Sequence, residues 1–217
     1  ALAAAAGLAP QPRFFDPDAG VLLVDYLPPD AAPEAASAED VGGLLRAVHR
    51  LDADAPRLSL DACITHYAAL LQAFCDDAAR DCLASLSDPL ARACRALDTD
   101  TEAAVVCHND LTPGNRLYHR GRLYALDWEY AACGSRWFDL AVAADKRLDA
   151  VKLLEAYLQR PPSAPERAQI VRARLIARYL ELLWLACNTD IEAREVLSGL
   201  RALTARVDSL AAVDHAP

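Results

Sequence analysis

Apolar residues recur at helical spacing along most of this chain, and that rhythm stops once, between residues 103 and 130. There the apolar runs shorten to 105–107, 117–118 and 123–126, separated by polar and turn residues, which predicts short strands. On either side the pattern is that of amphipathic helices. Val41, Leu44, Leu45, Val48 and Leu51 share one helical face behind Ser37 as N-cap, and Leu60, Ile64, Tyr67, Leu71 and Phe74 begin another that extends toward Leu86. Asp88-Pro89 reads as the cap and first-turn proline of a helix ending near Leu97. Helical spacing resumes at Trp137 and at Leu148. Ser163 with Glu166 then forms a capping box for a long helix reaching about Cys187, and Thr189 with Glu192 repeats that signal for a last helix to about Leu210. The expected class is α+β, mostly helical with a small β-hairpin.

Upstream, residues 21–27 form an apolar run bounded by Gly20 and by Pro28-Pro29, which predicts a buried strand. The stretch 30–36, built of Ala, Pro and acid, predicts a linker. The chain therefore divides into residues 1–27 and residues 28–217.

Composition limits what such a chain can do. Its 217 residues, 54% of them apolar, suffice for a sizeable core and exclude a disordered tail, a collagen or a small disulfide scaffold. With 31 Asp and Glu against 22 Lys and Arg the net charge is -9, so no overall positive field draws the chain to nucleic acid or an anionic membrane. A cationic small molecule suits it better. No apolar stretch reaches the roughly 18 to 20 residues of a membrane-spanning helix. Seven cysteines, odd in number and without a Cys-x-x-Cys pair, predict reduced thiols and a cytoplasmic location.

Chemistry is concentrated in His108-Asn109-Asp110-Leu111-Thr112-Pro113-Gly114-Asn115 and in Asp127-Trp128-Glu129-Tyr130. Polar and charged residues crowding a loop directly after an apolar strand are costly in a core and natural in a site carried on a rigid scaffold. If Arg120-Gly121 is a two-residue hairpin loop, residue 115 pairs with 126; a three-residue loop pairs it with 127. Either register brings Asn115 and Asp127 to the same open end. An amide oxygen and a carboxylate converging there make the hard, oxygen-only site that magnesium accepts. Asp110 is left to accept a proton. His49, His66, His119 and His215 have no partners at ligand spacing and read as surface or hairpin residues.

These segments resemble the phosphotransferase family that includes aminoglycoside phosphotransferases, choline and ethanolamine kinases and thiamine kinases, distant relatives of protein kinases. The resemblance rests on the His-x-Asp-x-x-x-x-Asn of His108, Asp110 and Asn115, on Asp127-Trp128-Glu129-Tyr130-Ala131, and on Arg136-Trp137-Phe138-Asp139-Leu140-Ala141. It implies a protein-kinase-like fold in which residues 1–27 are a remnant of the N-terminal lobe with its hinge strand and residues 28–217 the helical C-terminal catalytic lobe. It also implies ATP and Mg2+ as cofactors. Asp110 becomes the catalytic base for the acceptor hydroxyl, Asn115 and Asp127 the magnesium ligands, and backbone groups near Asp25, Tyr26 and Leu27 the adenine site. His108 and Asp139 become supports of the catalytic loop. Kinases of this group carry a glycine-rich loop and a strand lysine ahead of the hinge, whereas the two lysines here, Lys146 and Lys152, lie far downstream. The expectation is an amino-terminal part that precedes the chain; the alternative is a degenerate relative.

Glu129-Tyr130-Ala131 with Arg136-x-Phe138-Asp139 resembles the choline kinase and thiamine kinase branch more than the antibiotic-modifying one. The implied acceptor is the hydroxyl of a small cationic metabolite, choline or ethanolamine first and thiamine next. Phosphorylation of an aminoglycoside or a sugar is the second enzymatic reading, and a pseudokinase-like binding module the non-enzymatic one. Aromatic faces and carboxylates hold a quaternary ammonium. Trp184 and Tyr179 on the long helix, with Trp137 and Glu129, are candidates for such a cage, against the plainer reading that aromatics on an apolar helix are core residues.

Overall fold

Helix caps and apolar spacing set most elements of the computed structural model, which describes residues 1–30, 36–72, 75–100 and 104–213. Linker residues 31–35, Phe74 and His215 lie outside the described residues. A short helix, α1 (Leu2–Ala5), leads into β1 (Pro12–Asp16) and β2 (Val21–Val24), followed by α2 (Ala38–Val48), α3 (Leu60–Gln72) and α4 (Asp77–Asp98). The middle of the chain holds β3 (Ala104–Cys107), β4 (Arg116–His119), β5 (Arg122–Ala125) and β6 (Ala132–Ser135). Four helices close it: α5 (Arg136–Ala143), α6 (Ala150–Leu158), α7 (Ala164–Asn188) and α8 (Ala193–Val213). The strands form three antiparallel pairs, β1 with β2, β3 with β6 and β4 with β5.

Ser37 caps α2 by accepting a hydrogen bond from the Asp40 N–H at 3.1 Å, and Val41, Leu45 and Val48 bury the face that meets α6. The two helices approach so closely at Gly42 that a Cβ there would stand 2.9 Å from the Tyr157 backbone nitrogen. The capping box of Ser163 and Glu166 opens α7, which packs on α3, α4, α5, α6 and α8 and buries Ile170, Ile176 and Leu183. Each such side chain withdrawn from water contributes roughly 1.5 to 3 kcal/mol. This central helix is the one on which those five helices pack.

The structure departs from the expected elements in four places. The helix expected to start at Asp88 begins instead at Asp77, capped by Asp76, whose carboxylate accepts from the Ala79 N–H at 2.8 Å; Pro89 lies inside it. Burial of Leu83, Leu86, Leu90, Cys94 and Leu97 along one face outweighs the roughly 3 kcal/mol that an interior proline costs. Thr189 ends α7, its hydroxyl donating to the Leu185 carbonyl at 2.7 Å, and opens nothing. The run at 21–24 is a strand but not a buried one: its residues are 40% to 57% exposed, because among the described residues β1 is its only strand partner and nothing packs over the ribbon. Finally, Ala132-Cys133-Gly134-Ser135 carries no strand signature and becomes β6 only by pairing with β3.

Candidate active site

The hairpin of β4 and β5 settles the register. Arg120 and Gly121 sit at φ +54° and +72°, a two-residue loop, and Arg116 faces Ala125. One step further the Leu126 N–H bonds the Asn115 carbonyl at 2.9 Å, so Asn115 and Asp127 emerge side by side at the open end.

The loop that follows β3 is held from below by one carboxylate. Asp139, in the first turn of α5 and fully buried, accepts from the His108 N–H at 2.9 Å, the Asn109 N–H at 2.8 Å and His49 Nε2 at 2.9 Å. Burial alone would raise its pKa, but the hydrogen bond and charge of His49 and the His108 N–H outweigh it and hold it below the usual carboxylate range. His49 Nδ1 is hydrogen-bonded to the Tyr157 hydroxyl at 2.9 Å. His49, expected at the surface, is therefore a buried support of the loop. The available signal was its spacing, four residues after Leu45 on the buried face of α2. His49, Cys107 and Asp139 also present ligand-type atoms within 4.8 Å of one another. The imidazole and carboxylate already bond each other, and burial pushes the Cys107 thiol far up, so the group is a hydrogen-bonded support and not a thiolate metal site.

His108 joins the two functional segments. Its Nδ1 accepts from the Asp110 N–H at 3.3 Å, which assigns the proton to Nε2, the donor to the Leu126 carbonyl at 2.8 Å; its ring stands 4.8 Å from that of Trp128. Asp110 itself is half-buried. Asn115 Nδ2 donates to its carbonyl at 2.8 Å and to its Oδ2 at 2.7 Å. Burial foremost, then the charges of Asp127 and Glu129, raise the Asp110 pKa against the opposing influence of His108 and Asn115. The carboxyl thus has a heightened affinity for a proton.

With the Asn115 amide nitrogen committed to Asp110, the amide oxygen is left for another partner. Asp127 is exposed, adopts φ +56°, and among the described residues its carboxylate has no hydrogen bond. An amide oxygen and an uncommitted carboxylate on adjacent strand ends fit a hard divalent cation. Arg116, buried beside Asn115, adds a second anchor that the sequence did not reveal. Its guanidinium donates to the Leu111 carbonyl at 2.7 and 3.0 Å and to the Ala143 carbonyl, and pairs with Asp145 at 3.6 Å. A cation bonded mainly to main-chain oxygens leaves no partner pattern to read.

The remaining site candidates separate. Glu129 and Tyr130 are exposed beside Asp127, and Trp184 on α7 is 37% exposed. Tyr179 is 1% exposed, with its hydroxyl pushed up to about 12 by burial and the neighbouring Cys94, so it is a core residue and no wall of a cage. Trp137 is also buried, its indole N–H directed to Asp100 at 3.3 Å, and offers no open face. Tyr67 on α3, absent from the expected set, has its pKa raised by burial and then by nearby Tyr130. At the hinge positions, the Asp25 N–H bonds the Gln11 carbonyl at 2.8 Å and its carboxylate pairs with Arg13 at 2.5 Å. Tyr26 is 83% exposed, and among the described residues the backbone groups of Tyr26 and Leu27 make no hydrogen bond.

Comparison with known proteins bears on the family and the fold. A family model described as the phosphotransferase enzyme family matches residues 1–187. Protein LicA homolog of Mycoplasma capricolum subsp. capricolum is 27% identical over 83 residues, 38% of this chain and 34% of that protein. Protein LicA of Haemophilus influenzae is 42% identical over 40 residues, 18% of this chain and 15% of that one. The matches span about a third or less of these curated relatives. Among solved structures, a choline/ethanolamine kinase family protein from Mesorhizobium loti superposes with a TM-score of 0.71 at 23% identity, covering 96% of this chain and 74% of the other. Choline kinase LicA from Streptococcus pneumoniae gives 0.64 at 21% identity, with 93% and 77% covered. The ADP-bound aminoglycoside phosphotransferase APH(2'')-Ib gives 0.61 at 13%, with 90% and 74% covered. The shared property is the protein-kinase-like fold.

Proposed function

The chain belongs to the phosphotransferase enzyme family, and from that premise we propose that it transfers the γ-phosphate of ATP to the hydroxyl of a small cationic alcohol, choline or ethanolamine first. The observation that carries the reading is Asp110: a half-buried carboxyl of raised proton affinity, held by Asn115 at 2.7 Å beside the exposed carboxylate of Asp127. Phosphoryl transfer asks a protein mainly for positioning and charge stabilisation. Asn115 fixes Asp110 Oδ2, so the other oxygen is the one that orients the acceptor hydroxyl and takes its proton. The Asn115 amide oxygen and the Asp127 carboxylate would hold magnesium, which supplies charge neutralisation to the nucleotide phosphates when bound. Asp139, His49 and His108 keep the loop in the geometry this needs. Residues 1–27 serve as the hinge side of the nucleotide site, with the backbone at Tyr26 and Leu27 free to bond adenine, and residues 28–217 as the catalytic lobe.

A cationic acceptor is supported by charge and by exposed π faces. The chain carries a net charge of -9, and Glu129, Tyr130 and Trp184 offer a carboxylate and open aromatic rings. Seven unpaired cysteines support a reducing, cytoplasmic setting. An aminoglycoside is also a cationic alcohol, so the test compares acceptors directly. Magnesium-dependent ATP turnover by the full-length protein is measured with choline, ethanolamine, thiamine and an aminoglycoside. Turnover highest with choline or ethanolamine is expected; preference for the aminoglycoside moves the reading to the antibiotic-modifying branch, and silence with all four leaves a binding module.

A further inference from the structure

Asn109 stands between His108 and Asp110 and is 8% exposed, with its backbone at φ +64°, the left-handed region that glycine and, among the other residues, asparagine adopt most readily. A buried side-chain amide invites the question of what it holds. Its N–H is bound to Asp139 at 2.8 Å, and its Nδ2 donates to the Tyr130 carbonyl at 3.0 Å. Its Oδ1 is buried without a hydrogen-bond partner among the described residues. The side chain therefore makes one directed bond, and that bond crosses from the loop carrying Asp110 to the segment carrying Glu129.

The same segment has one other tie of this kind. His108 Nε2 grips the Leu126 carbonyl, just before Asp127, and Asn109 grips the Tyr130 carbonyl, just after Glu129. Between those points the backbone turns, closed by the Ala131 N–H on the Trp128 carbonyl at 3.1 Å, while the carboxylates of Asp127 and Glu129 are exposed and make no hydrogen bond among the described residues. Two neighbouring residues of one loop thus suspend residues 127–130 at both ends.

We propose that Asn109 is a positioning residue that sets where Glu129 and Tyr130 stand relative to Asp110, and so governs affinity for the acceptor, while His108 fixes the Asp127 end. This rests on the acceptor side of the proposed function. Asn109→Gly is the informative variant, because glycine adopts φ +64° without strain and the fold is kept. Asn109→Asp, which at neutral pH offers the Tyr130 carbonyl no donor from its side chain, is the companion.

In both variants the KM for the acceptor rises about tenfold, the equivalent of one net hydrogen bond, while the KM for ATP stays within about twofold. Hydrogen–deuterium exchange supplies a readout that needs no turnover: the amides of 127–131, Ala131 above all, exchange faster in Asn109→Gly, and those of α7 do not. Unchanged exchange at 127–131 overturns the proposal. Faster exchange with an unchanged acceptor KM overturns its claim on affinity. If the unsubstituted protein phosphorylates none of the acceptors, the proposed function falls, and the exchange comparison still decides the role of Asn109.

Discussion

His108 and Asp139 are fully buried, whereas Val21, Leu22, Leu23 and Val24, all apolar, are each at least 40% exposed. The two regions invert the ordinary assignment of polar side chains to water and apolar ones to the core. The difference lies in partners. His108 and Asp139 find matching donors and acceptors in each other, in His49 and in the Leu126 carbonyl, so burial strengthens their bonds. Among the described residues the two strands of the β1 and β2 hairpin pair only with each other, and their apolar side chains face outward. Substitutions in the two regions should therefore differ in kind.

The largest effect belongs to Asp110. Asp110→Asn keeps the shape of the side chain and removes the proposed base, so kcat is expected to fall about 10²- to 10⁴-fold, or roughly 3 to 5 kcal/mol of barrier. ATP affinity, measured by calorimetry, stays within about threefold. A large loss of nucleotide binding would mean that Asp110 holds the nucleotide and does not act on the acceptor.

Next comes the carboxylate beneath the loop. Asp139→Ala strands the His49 imidazole and two backbone N–H groups, and breaking such a buried pair costs about 3 to 5 kcal/mol in urea denaturation. The pH dependence has a definite sign. The folded-state pKa of Asp139 lies below its unfolded value of about 3.9, so its contribution is complete above that value and disappears as pH falls through the folded value. The stability gap between the native protein and Asp139→Asn should accordingly narrow in acid, below about pH 4. A gap that persists there would assign the effect to packing.

Much of this site was legible because its polarity is concentrated. His108, Asp110 and Asn115 crowd one loop after an apolar strand, and Arg120-Gly121 limited the hairpin to two registers, of which the structure selects the two-residue loop. Ser37 and Ser163 announced their helices for a local reason: a cap is a contact within four residues. What escaped was contact at long range. His49 meets Asp139 across 90 positions, and Arg116 bonds carbonyls that every residue possesses. Pro89 misled because a local penalty was outweighed by a buried helical face, and Tyr179 because its aromatic ring suits a core as well as a cage.

A smaller effect separates function from stability at one residue. The Asp110 pKa is raised in the folded protein, chiefly by burial, so the native state holds its proton more tightly than the unfolded chain. Its ionisation therefore lowers stability above the unfolded value of about 3.9, with the full cost present once pH exceeds the folded pKa. Asp110→Asn removes that cost. The inactive variant should melt at a higher temperature than the native protein at pH 7, with the difference vanishing below about pH 4. A lower melting temperature at pH 7 would show that the bond from Asn115 contributes more than ionisation costs.

The smallest effect is expected in the hairpin, at the cross-strand pair of Phe15 and Leu22, which are 67% and 57% exposed. In a covered sheet, truncating a phenylalanine and a leucine would remove several kcal/mol of burial. Here both side chains already face water in the folded state, so replacing them changes little between folded and unfolded chains. Threonine keeps the strand propensity at each position. Phe15→Thr with Leu22→Thr should shift the free energy of unfolding by no more than about 0.5 kcal/mol, the usual range for exposed positions. A loss above about 2 kcal/mol in urea titration would show that this face is covered in solution, and the contrast with the loop after β3 would then be one of missing neighbours and not of surface against core.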